Sequence, residues 1–239
     1  MNTLEMWMDY VDDLARDSRV LLFDYPRELK TNQAQAAGTH ALFERLGIQK
    51  PIFVGASDGG MVAQIYVQKY PGETGGLVLI STGGMDERTL RSLKKKYRLA
   101  SLMLWYMKHC NYEKLKPRLI RASLSHLRNE SPEEIAYARD MFETIFRNYP
   151  QEKDVHISTL LTDLMNQKPV TAADFSALAG KILLILPDQD FFSGEMQQDL
   201  IGLMHQPKIV CVSGGHQGTV LKAEDDFRAI RAFLQEAEL

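Results

Sequence analysis

The stretch Pro51 to Met61, PIFVGASDGGM, constrains this chain more than any other, because an apolar run, a glycine-flanked serine and the start of a helical pattern follow one another without a gap. Ile52, Phe53 and Val54 are apolar and partly β-branched, as expected of a short strand buried on both faces of a parallel sheet. In Gly55-Ala56-Ser57-Asp58-Gly59 a glycine stands two residues from the serine on each side. The backbone can therefore turn tightly there, and neighbouring elements can approach without Cβ clashes. Met61, Val62, Ile65 and Tyr66 then recur at helical spacing up to Lys69-Tyr70-Pro71-Gly72, and Gly76 to Ser81 supplies the next buried strand. The unit predicted is strand, sharp turn, helix, strand. It holds Ser57 in a strained conformation above the carboxyl ends of the strands, where ligands sit in open α/β sheets. A five-residue motif of this kind arises by chance in many glycine-rich loops, and it is the flanking strand and helix that give it weight.

Upstream, Glu5 to Ala15 places Trp7, Val11 and Leu14 on one face, as an amphipathic helix would. Ser18 to Tyr25, SRVLLFDY, reads as a buried strand stopped by Pro26. Asn32 to Leu46 reads as a helix with Ala37, Ala41, Leu42 and Leu46 inward and Gly47 as its C-cap. Such alternation argues for parallel pairing through right-handed crossovers. Over residues 83–179 the alternation stops and the chain reads helical. Ser131-Pro132-Glu133-Glu134 is its clearest start signal, a capping box with proline at the first helical position, followed by Ile135, Met141, Phe142, Ile145 and Phe146. Met103, Trp105, Tyr106 and Met107 are expected to be helix packing, although helices inserted there can also line an apolar pocket. Alternation resumes with a strand at Lys181 to Leu186, a helix at Ser193 to Met204, a strand at Lys208 to Val212 and a helix at Asp225 to Glu236 with Phe227, Ile230 and Leu234 inward. The fold class expected is α/β: a mostly parallel sheet with helices on both faces, one domain over residues 1–239.

Each late strand leads into a polar loop, Pro187-Asp188-Gln189-Asp190 after the first and Ser213-Gly214-Gly215-His216 after the second. With Ser57 upstream, the order is serine, acid, histidine. A serine hydroxyl is a poor nucleophile until a base takes its proton, and the pKa of histidine suits that task at neutral pH. His216 is the candidate base. A carboxylate on the other ring nitrogen fixes the tautomer and stabilises the imidazolium. Asp190 is the candidate for that role, with Asp188 as competitor, and either is equally at home as a turn residue or helix cap. The bland reading of His216 is a surface loop histidine. His40, His109, His126, His156 and His205 fall in predicted helices or at their ends and are read as structural.

Composition narrows the partners. Net charge is −3 with both signs interspersed, and the one dense basic run, Arg91 to Lys96, reads as a solvated helix face, so nucleic acid is not expected. Cys110 and Cys211 lack metal-site spacing and suit a reducing cytoplasm, which is the location expected. Neither a membrane span nor an export signal is visible, and no metal or cofactor is expected.

Taken together, Trp7 to Pro26, Gly55 to Gly60, Asp190 and Gly215-His216 make the chain resemble the α/β-hydrolase superfamily, in its branch of small esterases, lactonases and aminoacyl-ester hydrolases with a helical cap. The Ser-Asp-Gly-Gly at Ser57 to Gly60 is similar to that of valacyclovir-hydrolase-like enzymes, and serine in place of aspartate at the turn is unlike haloalkane dehalogenases and epoxide hydrolases. The resemblance implies Ser57 as nucleophile, Asp190 as acid, His216 as base, the Asp58 backbone N–H as an oxyanion donor, 83–179 as the cap and a small-molecule acyl substrate. One departure stands out. In the family, three strands and a His-Gly-type loop precede the helix equivalent to Glu5 to Ala15, and one of those strands lies between those expected at Arg19 to Asp24 and Ile52 to Val54. The expectation is an N-terminally shortened member with one identifiable oxyanion donor and a tendency to self-associate through an incomplete sheet. A non-catalytic role in ligand or partner binding is the competing class, since fold does not fix function.

Overall fold

Four of the five apolar runs expected as strands pair as the alternation predicts. In the computed structural model, which describes residues 4–127, 131–192, 194–237 and 239, β1 (Ile52–Ala56), β2 (Gly76–Ile80), β3 (Ile182–Pro187) and β4 (Lys208–Val212) form one parallel sheet in the order β1-β2-β3-β4. Every residue of β2 and β3 is buried, because each of these strands has a neighbour on both edges and helices on both faces. On one face Leu77, Leu79, Ile182 and Leu184 pack under α2 (Asn32–Leu46) and α3 (Asp58–Lys69). On the other, Val78, Ile80, Leu183 and Ile185 pack under α1 (Met8–Leu14) and the C-terminal helix, with Tyr10, Ile230 and Phe233 completing that layer.

Between β2 and β3 the chain runs through α4 (Glu87–Lys96), α5 (Ala100–His109), α6 (Tyr112–Leu124), α7 (Pro132–Arg147) and α8 (Gln151–Leu164). The capping box at Ser131 and Glu134 is present in both directions, at 3.2 and 2.9 Å. After β3 come α9 (Gly194–Leu203), then β4, a short α10 (Gly218–Leu221) and α11 (Ala223–Glu236). Ser193, expected to open α9, lies outside the described residues, as does the side chain of His126. Among the described residues no helix is long and apolar enough to cross a membrane.

Three sequence expectations are corrected. Ser18 to Tyr25 is not a strand: it runs irregularly past β1, leaving Val20, Leu21 and Leu22 between 36% and 42% exposed. A strand exists only by virtue of a ladder partner, and among the described residues no backbone hydrogen bond joins residues 19–26 to β1. The Asp24 carboxylate instead takes bonds of 3.0 and 2.9 Å from Lys153, and the Gln35 amide ties down the carbonyls of Pro26 and Leu29. The second correction concerns α2, whose bounds and Gly47 cap are as expected but whose buried face is Asn32, Gln35, Ala36, Thr39 and Phe43. Phe43 is drawn in by rings at Phe53 and Tyr66, and this turns Ala41 and Leu46 outward. Third, of the Met and aromatic set on α5 only Met107 is buried. The face of α5 that meets α8 is the Met107 side, so Met103 and Trp105, each 58% exposed, point away.

The two ends of the chain are locked by a buried polar contact. The Tyr10 hydroxyl donates to Asp226 Oδ2 at 2.6 Å and lies 2.9 Å from the Thr219 carbonyl, joining α1 to α11 and to the segment that follows His216. Burial pushes the Asp226 carboxyl up to about 6 from its ordinary 3.8, against the lowering effect of the Tyr10 bond. The folded chain thus binds this proton more tightly than the unfolded one, so the site stabilises most below about pH 4, and that contribution is lost as pH rises to about 6. Asp226→Asn keeps an acceptor for Tyr10 and removes the buried charge. The expected result is a gain on the order of 2 to 3 kcal/mol at pH 7.5 that shrinks toward zero at pH 4, read from urea midpoints. An equal gain at both pH values would exclude charge burial as its cause.

Candidate active site

The turn after β1 takes the conformation its glycines permit. Ser57 has φ 53° and ψ −121°, a region that non-glycine residues rarely occupy and that costs about 1 to 3 kcal/mol. Four bonds hold it there: its N–H donates to Ile80 O at 3.0 Å, and its carbonyl accepts from the Thr82 hydroxyl at 2.5 Å and from the Gly60 and Met61 N–H groups at 3.1 and 3.4 Å. Gln64, fully buried in α3, braces the loop after β2 by donating to Gly83 O and accepting from Met85 N–H at 2.9 Å each.

The glycines do unequal work. A Cβ on Gly55 would meet the backbone of Gly59 and Gly60 at 2.8 Å, and one on Gly60 would strike the Thr82 side chain at 2.8 to 2.9 Å. Gly59, the second glycine of the motif, has nothing within 4 Å of an added Cβ. Close approach of strand and helix is therefore secured by Gly55 and Gly60.

Two strand-end loops converge on Ser57. Asp190 follows β3 and His216 follows β4. The Ser57 hydroxyl is 3.0 Å from His216 Nε2, and His216 Nδ1 is 2.6 Å from Asp190 Oδ1. With the ring proton on Nδ1, donated to Asp190, the lone pair on Nε2 accepts from the Ser57 hydroxyl. The Asp190 side chain is 1% exposed and its Oδ1 also accepts from the Phe192 N–H at 3.3 Å, so the carboxylate is fixed. Asp188, the competitor, is exposed, and its backbone N–H is spent on Val212 O. The loops fit together through Gly214 and Gly215, both left-handed at φ 101° and 58°, and a Cβ on Gly215 would lie 2.6 Å from the Gln189 carbonyl.

Sequence reasoning overlooked Thr82, Gln64 and the pair Phe191 and Phe192. The rings of Phe191 and Phe192 lie 6.2 and 5.9 Å from that of His216, and Phe191 in turn is covered by Tyr97 and by the Lys96 ammonium at 3.4 Å. Position was the available signal: Thr82 stands directly after the β2 run, and the two phenylalanines directly after Asp190. Of the other histidines, His40 stacks on Tyr70 and contacts Glu73, and His205 bonds the Ala172 carbonyl at 2.8 Å. His156 is buried in α8, where burial lowers its pKa. Asp58, expected as an oxyanion donor, opens α3, so its N–H sits at the positive end of that helix. Among the described residues no cluster of metal-ligating side chains occurs.

Solved structures share this arrangement of strands and helices. MenH from S. aureus superposes with a TM-score of 0.79 over 98% of this chain and 90% of its own, at 16% identity. The enol-lactonase from Burkholderia xenovorans LB400 gives 0.74 over 97% and 86%, at 15% identity, and a thermophilic esterase from Thermogutta terrifontis gives 0.63 over 98% and 86%, at 20%. The chain has the α/β-hydrolase fold. No family model and no curated protein sequence matches it. Within the hydrolase fold, the turn bearing Ser57 sits at the end of the edge strand β1, and its packing yields a test. Gly55→Ala should lower stability by about 1 to 3 kcal/mol through overpacking against α3. Gly59→Ala, in open space in the first turn of a helix, should be neutral or slightly stabilising in thermal unfolding. Equal losses from both would contradict the close approach assigned to Gly55.

Proposed function

We propose that this protein is a serine hydrolase of small carboxylic esters or related acyl compounds, acting through an acyl-enzyme on Ser57. The observation that carries this reading is the unbroken hydrogen-bonded chain from Ser57 Oγ through His216 to the buried carboxylate of Asp190. The Ser57 oxygen attacks the substrate carbonyl carbon while His216 Nε2 takes its proton, and Asp190 remains ionised and stabilises the imidazolium. The resulting oxyanion is stabilised by the Asp58 N–H at the start of α3. Collapse breaks the bond to the leaving group, which departs with the proton from His216. Water, deprotonated by the same histidine, then cleaves the acyl-enzyme to give the acid and restores Ser57.

The surroundings favour an apolar acyl group. Phe192 and Met61, both buried, close around Gly83 beside the site, and Phe191 extends this wall toward Tyr97 of the helical segment 83–179, which we read as the cap. The names of the structurally similar proteins, an esterase and an enol-lactonase, agree with chemistry at an acyl bond. Cys110 and Cys211 are both free, in keeping with a reducing, cytoplasmic setting.

Ser57→Ala and His216→Ala should each lower p-nitrophenyl ester turnover by about 1,000-fold or more, with the double variant no worse than either, because the three groups work as a unit. A fluorophosphonate probe should label the parent and not Ser57→Ala. Turnover retained by Ser57→Ala would exclude the mechanism. Asp190→Asn should cost about 10,000-fold through the wrong histidine tautomer, whereas Asp188→Asn should stay near the parent, and the reverse order would move the acid to Asp188.

A further inference from the structure

The buried hydroxyl of Tyr10 has one hydrogen and two acceptors. Its oxygen lies 2.6 Å from Asp226 Oδ2 and 2.9 Å from the Thr219 carbonyl oxygen, each within reach of an O–H···O bond. Burial, followed by the Asp226 charge, pushes the Tyr10 hydroxyl up, so it keeps that hydrogen at neutral and acid pH. Which acceptor receives it depends on Asp226. An ionised carboxylate only accepts, and as the charged acceptor it takes the Tyr10 hydrogen, leaving lone pairs facing each other between Tyr10 and Thr219. A protonated carboxyl donates to the Tyr10 oxygen instead. Tyr10 then gives its own hydrogen to Thr219, and all three groups are satisfied. The change falls in an accessible range, since burial holds the Asp226 carboxyl up at about 6.

Thr219 makes that choice consequential. It stands in the short α10, three residues after His216, and its hydroxyl lies 3.4 Å from Ser81 Oγ. Ser81 is buried, has φ 48° and gives its N–H to Ile185 O at 3.0 Å, which makes it a fixed point at the carboxyl end of β2. Its neighbour Thr82 holds the Ser57 carbonyl. On the other side of His216 stand Gly214 and Gly215, both left-handed, which give the turn little stiffness of its own. Support for His216 therefore has to come through the Thr219 side. The charged groups that face the pair come from α1, α11 and the residues before α11. Asp9 acts on Tyr10 and Asp225 on Asp226, while Asp13 is paired with Arg231 and Asp225 with Arg228. Lys222 is 3.7 Å from Glu134, His216 is held by Asp190, and the sheet beneath presents Val78, Ile80, Leu183 and Ile185.

We infer that Tyr10 and Asp226 are positioning residues for His216, forming a brace set by one proton: it grips Thr219, and with it the segment that carries His216, while Asp226 is protonated, and releases it when Asp226 ionises. The brace acts through the Thr219 backbone and touches neither Ser57 nor His216. Its grip on the segment is a property of the fold. Its effect on turnover rests on the reading of Ser57, His216 and Asp190 as a triad.

Amide hydrogen exchange of the full chain, followed by mass spectrometry on peptides covering residues 214–222 and corrected for the intrinsic rate, reads the brace directly. Any change shared by peptides from β3 is subtracted as global opening. In the parent, exchange over 214–222 should be about 2- to 10-fold slower at about pH 5 than at about pH 7.5, the effect of one hydrogen bond. Asp226→Asn offers the Tyr10 oxygen an amide donor at both pH values and should show the slow rate at both. Tyr10→Phe has no hydrogen to give and should show the fast rate at both. A parent without the pH step, a step that persists in Asp226→Asn, or Tyr10→Phe as slow as the parent at the lower pH overturns the proposal. Should Tyr10→Phe fail to fold, the parent and Asp226→Asn decide. Under the triad reading, Asp226→Asn should also raise kcat for a p-nitrophenyl ester at about pH 7.5 by about twofold or more, with KM unchanged. An unaltered kcat overturns the positioning role. The expected exchange pattern in a parent without turnover upholds the brace and removes only the hydrolase reading.

Discussion

The bond from the Ser57 N–H to the Ile80 carbonyl is where the sheet and the candidate site meet. It extends the β1–β2 ladder by one residue beyond the strand, and in doing so fixes a backbone conformation that serine would not choose in isolation. The rest of the arrangement supports that one residue. Thr82 grips its carbonyl, Gly55 and Gly60 let α3 start without a clash, and Gln64 holds the loop after β2 against the same helix. The strain is borne by a ladder whose next two strands are buried at every position.

His216 and Asp190 inherit their placement from the same sheet. In a parallel sheet all carboxyl ends lie on one edge, so loops after β1, β3 and β4 emerge side by side although about 160 residues separate the first from the last. The Tyr10 hydroxyl, which donates to Asp226 Oδ2 and lies 2.9 Å from the Thr219 carbonyl, carries the support around to the other helical layer. The His216 loop is thereby anchored from both faces of the sheet.

What was legible in the sequence was whatever depends on local pattern. The four apolar runs of the sheet, the Ser131 capping box, the Gly47 cap and the order serine, acid, histidine need only neighbouring residues to be read, and the structure has each of them. Asp190 and His216 could be proposed because polar loops follow strands, but the choice between Asp190 and Asp188 required the resemblance, since both suit a turn. What was not legible depends on partners. Residues 18–25 have strand composition and no strand, because pairing is a property of two segments. The inward face of α2 was misread because aromatic contacts from Phe53 and Tyr66, not local hydrophobicity, decide which side is buried. Gly59 was credited with a packing role that belongs to Gly60, a distinction that only the neighbouring Thr82 side chain makes visible.

Gly59, which faces open space, and residues 18–25, which lack a ladder, line the same cavity beside β1. The strand that carries the strained serine is an edge strand: its residues 52 to 54 are only half-buried, whereas β2 is fully enclosed. Strain of 1 to 3 kcal/mol persists only where the surroundings over-determine it, and on β1 that determination comes from one side.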